Sequence, residues 1–194
     1  MSHSRIEALP EPLAEPIAGQ MAKLIPPGMP APKLFLSVAR NAPLFAFMVE
    51  SGLIGPTGLM DRRTLAKDVR ETLILRTCVA TRNDYEFNLH VQTISARMGL
   101  SAAQIDDIRA DQVSPVLWRD ALLILVKLVD ALVKHLTVPD ELYASARHCF
   151  SEEELIEITQ LVGLYTGVAM MVALIRPEFD RYQAGPVFTV GKPA

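Results

Sequence analysis

The chain has little cysteine and no block of basic charge. Cys78 and Cys149 lie far apart and form neither a CxxC pair nor a disulfide framework, which predicts two buried thiols in a reducing compartment. Acids and bases are interspersed, with a formal net charge of -3. The cationic footprint that nucleic acid or an anionic membrane requires is therefore missing. No basic start leads into an apolar leader, and the uncharged stretch Leu161 to Ile175 is shorter than the roughly 20 residues that span a bilayer. These absences predict a cytoplasmic protein with no nucleic-acid and no membrane partner. No segment alternates apolar and polar residues as a half-buried strand does, so the expected fold class is all-α.

What is present is apolar and helical. Hydrophobic residues make up 50% and charged residues 21% of 194 residues, enough for one substantial core. The mean hydropathy of +0.24 predicts more apolar surface than a monomer needs, and so an oligomer.

Seven of the 14 prolines precede Lys33, where missing amide donors and fixed φ values work against long regular structure. Residues 1–32 are read as a proline-rich arm, packed down by Leu9, Leu13, Ile17, Met21 and Leu24. Residues 33–177 are read as a single helical domain and 178–194 as a tail.

Within that domain, Asn41 is a candidate N-cap for "APLFAFMVES", and the Gly/Pro loop "GLIGPTG" follows. Helical periodicity covers 64–81, 84–98, 102–109 and 118–134. Gly99 is placed as a left-handed C′ residue, Ser101 to Gln104 as a capping box, and Pro139 in the first turn of a helix reaching His148. Ser151 and Glu154 open the last helix, which Pro177 stops. It is apolar on all sides, which predicts complete burial, and Tyr165 and Met170 on it are read as packing residues in preference to pocket-lining ones.

One stretch, "RNDYEFNLH", concentrates the chemistry. With Asn83 as N-cap, Glu86 falls at N3, where its side chain can reach back to the cap amide and its charge suits the helix dipole. Helix capping alone accounts for both residues. His90 follows at i+4 from Glu86, so the two side chains share a face, with Tyr85, Leu89, Val91 and Ile94 around them. A carboxylate neighbour favours the charged imidazole and burial disfavours it, and a group drawn between these influences suits general acid catalysis. Glu71 falls by periodicity on an exposed polar stripe with Lys67, Asp68 and Arg70. No metal site is predicted: Glu-x-x-x-His supplies two ligands, and His135 and His148 lack ligand spacing.

"RETLILRTCVATRNDYEFNLHVQTISARMGLS" resembles the signature helix pair of the carboxymuconolactone decarboxylase and alkylhydroperoxidase D superfamily: RE-x-x-IL-R, then YE-x-x-x-H, then a Gly-Leu-Ser turn. The likeness extends over residues 33–175 and implies an alkylhydroperoxidase D-like helical fold. In the peroxidase branch the reactive centre is a glutamate, a CxxC and a histidine. Glu71 and His90 match the first and last, but the thiol positions fall on Asn83 and Glu86, so thiol peroxidase chemistry is not expected.

The decarboxylase branch also lacks the thiols and keeps a glutamate four residues before the histidine. That likeness implies removal of carbon dioxide from a small unsaturated lactone or keto carboxylate, without a cofactor, as in aromatic compound catabolism. It implies catalytic roles for His90 (proton donor), Glu86 (orienting group) and Glu71 (contact to substrate or histidine), with Asn83, Tyr85 and Arg82 as substrate-binding residues. Arg70, Arg76 and Arg82 are all open as the carboxylate-binding group. Family members assemble through their helices, which implies a homo-oligomer: a dimer, trimer or hexamer. Two other classes compete: a redox protein using Cys78 or Cys149, and a non-catalytic helical module that binds a ligand or partner.

Overall fold

The computed structural model describes residues 4–183 and 187–190, and among these every regular element is helical. The described residues fall into two compact units: those up to Arg63 together with Met171–Asp180, and Thr64–Met170 together with those from Arg181 on. The second unit holds every predicted site residue.

The first unit contains α1 (Ile17–Leu24), α2 (Lys33–Val38) and α3 (Ala42–Glu50). The proline-rich arm is not wholly irregular: α1 starts directly after Pro16 and buries Gln20 and Met21. Leu9, Leu13, Ile17 and Leu24 pack against a core of Met21, Leu36, Phe45, Met48 and Ile54, as their spacing predicts. Asn41 caps α3 by accepting the Leu44 amide. The Gly/Pro loop folds on itself at two glycines. A Cβ on Gly58 would stand 2.1 Å from the Gly52 carbonyl oxygen, so the close approach admits no side chain there.

The second unit is built around α4 (Lys67–Thr81), which is surrounded: Val69 to Cys78 is buried without a break. α5 (Asp84–Thr93) and α7 (Asp120–His135) pack on it, α8 (Asp140–Cys149) packs on α7, and the unit also holds α6 (Ala102–Asp107) and α9 (Glu152–Ile175) up to Met170. A helix enclosed on every side must satisfy its polar side chains inside the protein. Arg76 shows how. It is 1% exposed, and its guanidinium meets both Asp130 carboxylate oxygens and donates to the carbonyls of Ile108, Ala110 and Asp111.

The capping signals hold at Ser101 and Ser151, each closing a reciprocal pair with Gln104 and Glu154. Gly99 takes the left-handed conformation, with φ of 94°. Two expectations change. The helix read over 84–98 ends at Thr93, because Ile94 leaves helical geometry and a 3-10 turn follows at Ser95–Met98. The last helix is not fully buried. Ile158, Leu161, Val162, Tyr165 and Val168 face the core, while Ile156 (66% exposed) and Met170 (69%) face outward. Met170 is thus not a packing residue. By length and composition α9 is apolar enough to cross a membrane, the one such helix among the described residues.

Candidate active site

The site begins at the corner between α4 and α5. Arg82 ends α4 in the left-handed conformation, with φ of 57°, and the Arg82 and Asn83 amides return to carbonyls of α4's last turn. Asn83 then caps α5 at once, its Oδ1 accepting the Glu86 amide at 3.2 Å. Two residues therefore reverse the chain. Glu71 lies roughly 17 Å back along one arm and His90 about 12 Å along the other, at 1.5 Å per residue, so a long side chain on Glu71 closes the difference.

It does so inside the protein. His90 Nδ1 stands 3.0 Å from Glu71 Oε1 and 3.2 Å from Oε2. Ser95 Oγ donates to Glu71 Oε1 at 2.7 Å, and Arg70 Nη1 lies 3.5 Å from Oε2. On the other side of the ring, His90 Nε2 faces Glu86 Oε1 at 3.6 Å, an ion-pair distance too long for a hydrogen bond, and the Tyr165 hydroxyl at 3.3 Å. Glu71 and Ser95 are fully buried, and His90, Glu86 and Tyr165 nearly so.

Charge accounts for the placement. Burial pushes the His90 pKa down, but the Glu71 charge and hydrogen bond, with help from Glu86, overcome this and raise it to about 9. His90 is thus an imidazolium at neutral pH, donating from both nitrogens. Burial pushes the Glu71 carboxyl up, and the His90 charge and hydrogen bond, then Ser95 and Arg70, hold it below its ordinary value. Tyr165 keeps its proton: burial and the nearby Glu86 raise its hydroxyl well above the usual range.

Sequence periodicity put Glu71 and Arg70 on an exposed stripe, and the structure reverses both. They are buried because α4 has no exposed face over Val69 to Cys78. The full capping box expected at Asn83 is only half formed, since Glu86 turns toward His90 and not back to the cap amide. Of the three arginines left open, Arg70 reaches the site, Arg76 is held by Asp130, and Arg82 is exposed at the helix corner. Asn83 and Tyr85 are buried beside Glu86 in sequence, and Asn83 Nδ2 has no hydrogen-bond partner among the described residues.

Ser95 is a member that the sequence reading missed, and Tyr165, for which packing was preferred to pocket lining, is a member too. For Tyr165 a signal existed: a tyrosine in an otherwise apolar buried helix needs a partner for its hydroxyl. Ser95 carries none, because it enters only through the 3-10 turn.

Cys78 is fully buried and Cys149 half-buried. Burial, followed by the charges of Glu86 and Glu71, pushes the Cys78 thiol well up, away from a reactive thiolate. Among the described residues no group of three His, Cys, Asp or Glu side chains is placed to hold a metal ion. A cleft of about 190 Å³ lies in the first unit, lined in part by Glu7, Lys33 and Glu178, and holds none of these residues. Compared with family models, curated proteins and solved structures, the chain finds no match.

Proposed function

We propose that this protein is a cofactor-independent lyase of the carboxymuconolactone decarboxylase type, acting on a small unsaturated lactone or keto carboxylate. The observation that carries the reading is the buried contact of His90 with Glu71. The two residues matching the family's glutamate and histidine come from different helices, and they meet with the imidazole charged.

The chemistry follows from that charge. As the bond to the leaving carboxylate breaks, its electron pair moves into the conjugated carbonyl system of the substrate, giving a dienolate and carbon dioxide. His90 Nε2 gives its proton to carbon, and the neutral imidazole is recharged from solvent. Glu71 fixes Nδ1 and so the ring's orientation, Glu86 steadies the charge beside Nε2, and Arg70 is the cation nearest the cluster for a substrate carboxylate. The alternative thiol peroxidase reading is disfavoured by Asn83 and Glu86 at the CxxC positions and by the buried, protonated Cys78.

A second reading has one observation in its favour. The closed site, with His90 only 2% exposed, suits a polar core cluster in a non-catalytic helical module. The deciding experiment is carbon dioxide release from a panel of unsaturated lactone carboxylates and β-keto acids. Release that His90→Ala abolishes and Glu86→Gln reduces supports the lyase. Absence of release across the panel, with His90→Ala altering only the melting temperature, supports the module.

The same proposal includes a cytoplasmic homo-oligomer. The support for assembly is the outward face of α9, where Ile156 and Met170 are exposed and a Cβ on Gly163 or Gly167 would meet open space. Such a face buries apolar surface when a second copy packs closely on it.

A further inference from the structure

Asp84, Asn88 and Gln92 stand at i, i+4 and i+8 on α5 and so form one row. Glu86 and His90, each two residues on, lie about 200° round the helix from that row, on its inner side.

The row is occupied by main-chain groups from the far end of the sequence. Asp84 Oδ1 accepts the Val190 amide at 2.7 Å. Asn88 Oδ1 accepts the Phe188 amide at 2.7 Å, and Asn88 Nδ2 donates to the Phe188 carbonyl at 2.8 Å. Gln92 Oε1 accepts the Tyr182 amide at 3.0 Å, and Gln183 Nε2 donates to the Gln92 carbonyl at 2.6 Å.

The register has a simple origin. Phe188 and Val190 are two residues apart in extended chain, about 6.7 Å, and Asn88 and Asp84 are four apart in a helix, about 6.0 Å. Over Phe188–Val190 the strap therefore runs antiparallel to α5, with these two amides in step with Asn88 and Asp84. Val190 is buried at 2% exposure, and the Phe188 ring meets Phe87 edge-on at 5.9 Å, beneath the Arg109 guanidinium.

Every member of the His90 site is shut away from solvent, so a substrate reaches it only if an element moves. α4 is enclosed and pinned through Arg76. α5 is shorter, and its outer side rests on the strap through hydrogen bonds, which exchange for water at less net cost than an apolar core does, and through two apolar anchors, Phe188 and Val190. We propose that the strap formed by Tyr182–Gln183 and Phe188–Val190 is a releasable brace: docked, it holds α5 closed against α4, and undocked, it lets α5 swing out and opens the route to His90. The functional sense of this brace rests on the reading of His90 as the reactive group.

Cys78 is the built-in probe, being fully buried on α4, with the partly buried Cys149 as internal control. The full chain, Asn88→Ala and a variant lacking residues 187–194 are treated with iodoacetamide over a low-urea series. Labelling at each cysteine is read by peptide mass, and global unfolding by circular dichroism in the same samples. The expected result is Cys78 labelling in the full chain that depends only weakly on urea, and at least tenfold faster labelling in both variants, with the Cys149 rate changed less than twofold. Cys78 labelling that follows the global unfolding curve in the full chain overturns the proposal, and this arm decides even if the variants fail to fold. The readout needs no turnover, so a failed lyase assay leaves the brace standing, and failed labelling leaves the lyase reading standing.

Discussion

His90 Nδ1 and Glu71 Oε1 lie 3.0 Å apart, joining the two arms of a helical hairpin inside the protein. Because the Glu71 charge is the largest influence opposing burial at His90, the imidazole depends on it for its proton. In Glu71→Gln the His90 midpoint falls from about 9 to the ordinary value near 6.5 or below, since burial remains. NMR titration of the imidazole carbons reads it directly. A midpoint still near 9 in that variant would show that Glu86 alone holds the charge.

The pair also sets how stability varies with pH. His90 has a raised pKa, so its contribution is complete below its ordinary value of 6.5 and is lost as pH rises through about 9. Glu71 is depressed, so its contribution is complete above its ordinary 4.5 and is lost as pH falls below that. Thermal melts across pH 4 to 10 should peak between about 5 and 6.5. The alkaline fall should flatten in His90→Gln, and an unchanged alkaline limb in that variant would assign the fall to other groups.

Asn83 has a measurable structural role whatever the site does. Removing its cap in Asn83→Ala should cost about 1 kcal/mol in urea unfolding, and Asn83→Ser should recover most of it. Equal stability of the alanine variant would mean that the Glu86 amide finds another acceptor.

Arg76 separates folding from chemistry. Arg76→Met strands Asp130, whose side chain is 22% exposed and which keeps Lys134 at 3.2 Å. It should lower stability by on the order of 3 kcal/mol, less if water reaches the carboxylate. Specific activity per folded molecule should stay near that of the unaltered chain. A selective loss of kcat/KM with normal stability would return Arg76 to the substrate.

The outward face of α9 should hold copies together. In Ile156→Lys with Met170→Lys, light scattering at micromolar concentration should give the monomer mass of 21.4 kDa, against a multiple of it for the unaltered chain. A monomer in both would end the proposal of assembly through this face.

The helices were legible because their signals are local. Asn41, Gly99, Ser101 and Ser151 each act within one turn, and neighbouring sequence contains all they need. His90 and Glu86 shared a face by spacing alone. Glu71 was not legible from periodicity, because its burial is a property of what surrounds α4: a polar stripe on an enclosed helix looks the same in sequence as one on an exposed helix. The outward half of α9 failed for the converse reason, its apolar residues facing solvent in a single chain. Ser95 and the strap enter through a 3-10 turn and through pairings about 100 residues apart, and neither leaves a periodic trace.

The two-residue corner at Arg82 and Asn83 acts as a ruler. Inserting a single residue there would lengthen the connection by up to about 3.8 Å and free the register in which the imidazole meets Glu71, while changing none of the residues that meet. The buried pair of Glu71 and His90 is therefore written in a length as well as in side chains. A variant with one added glycine at the corner should keep its helices and lose its imidazolium.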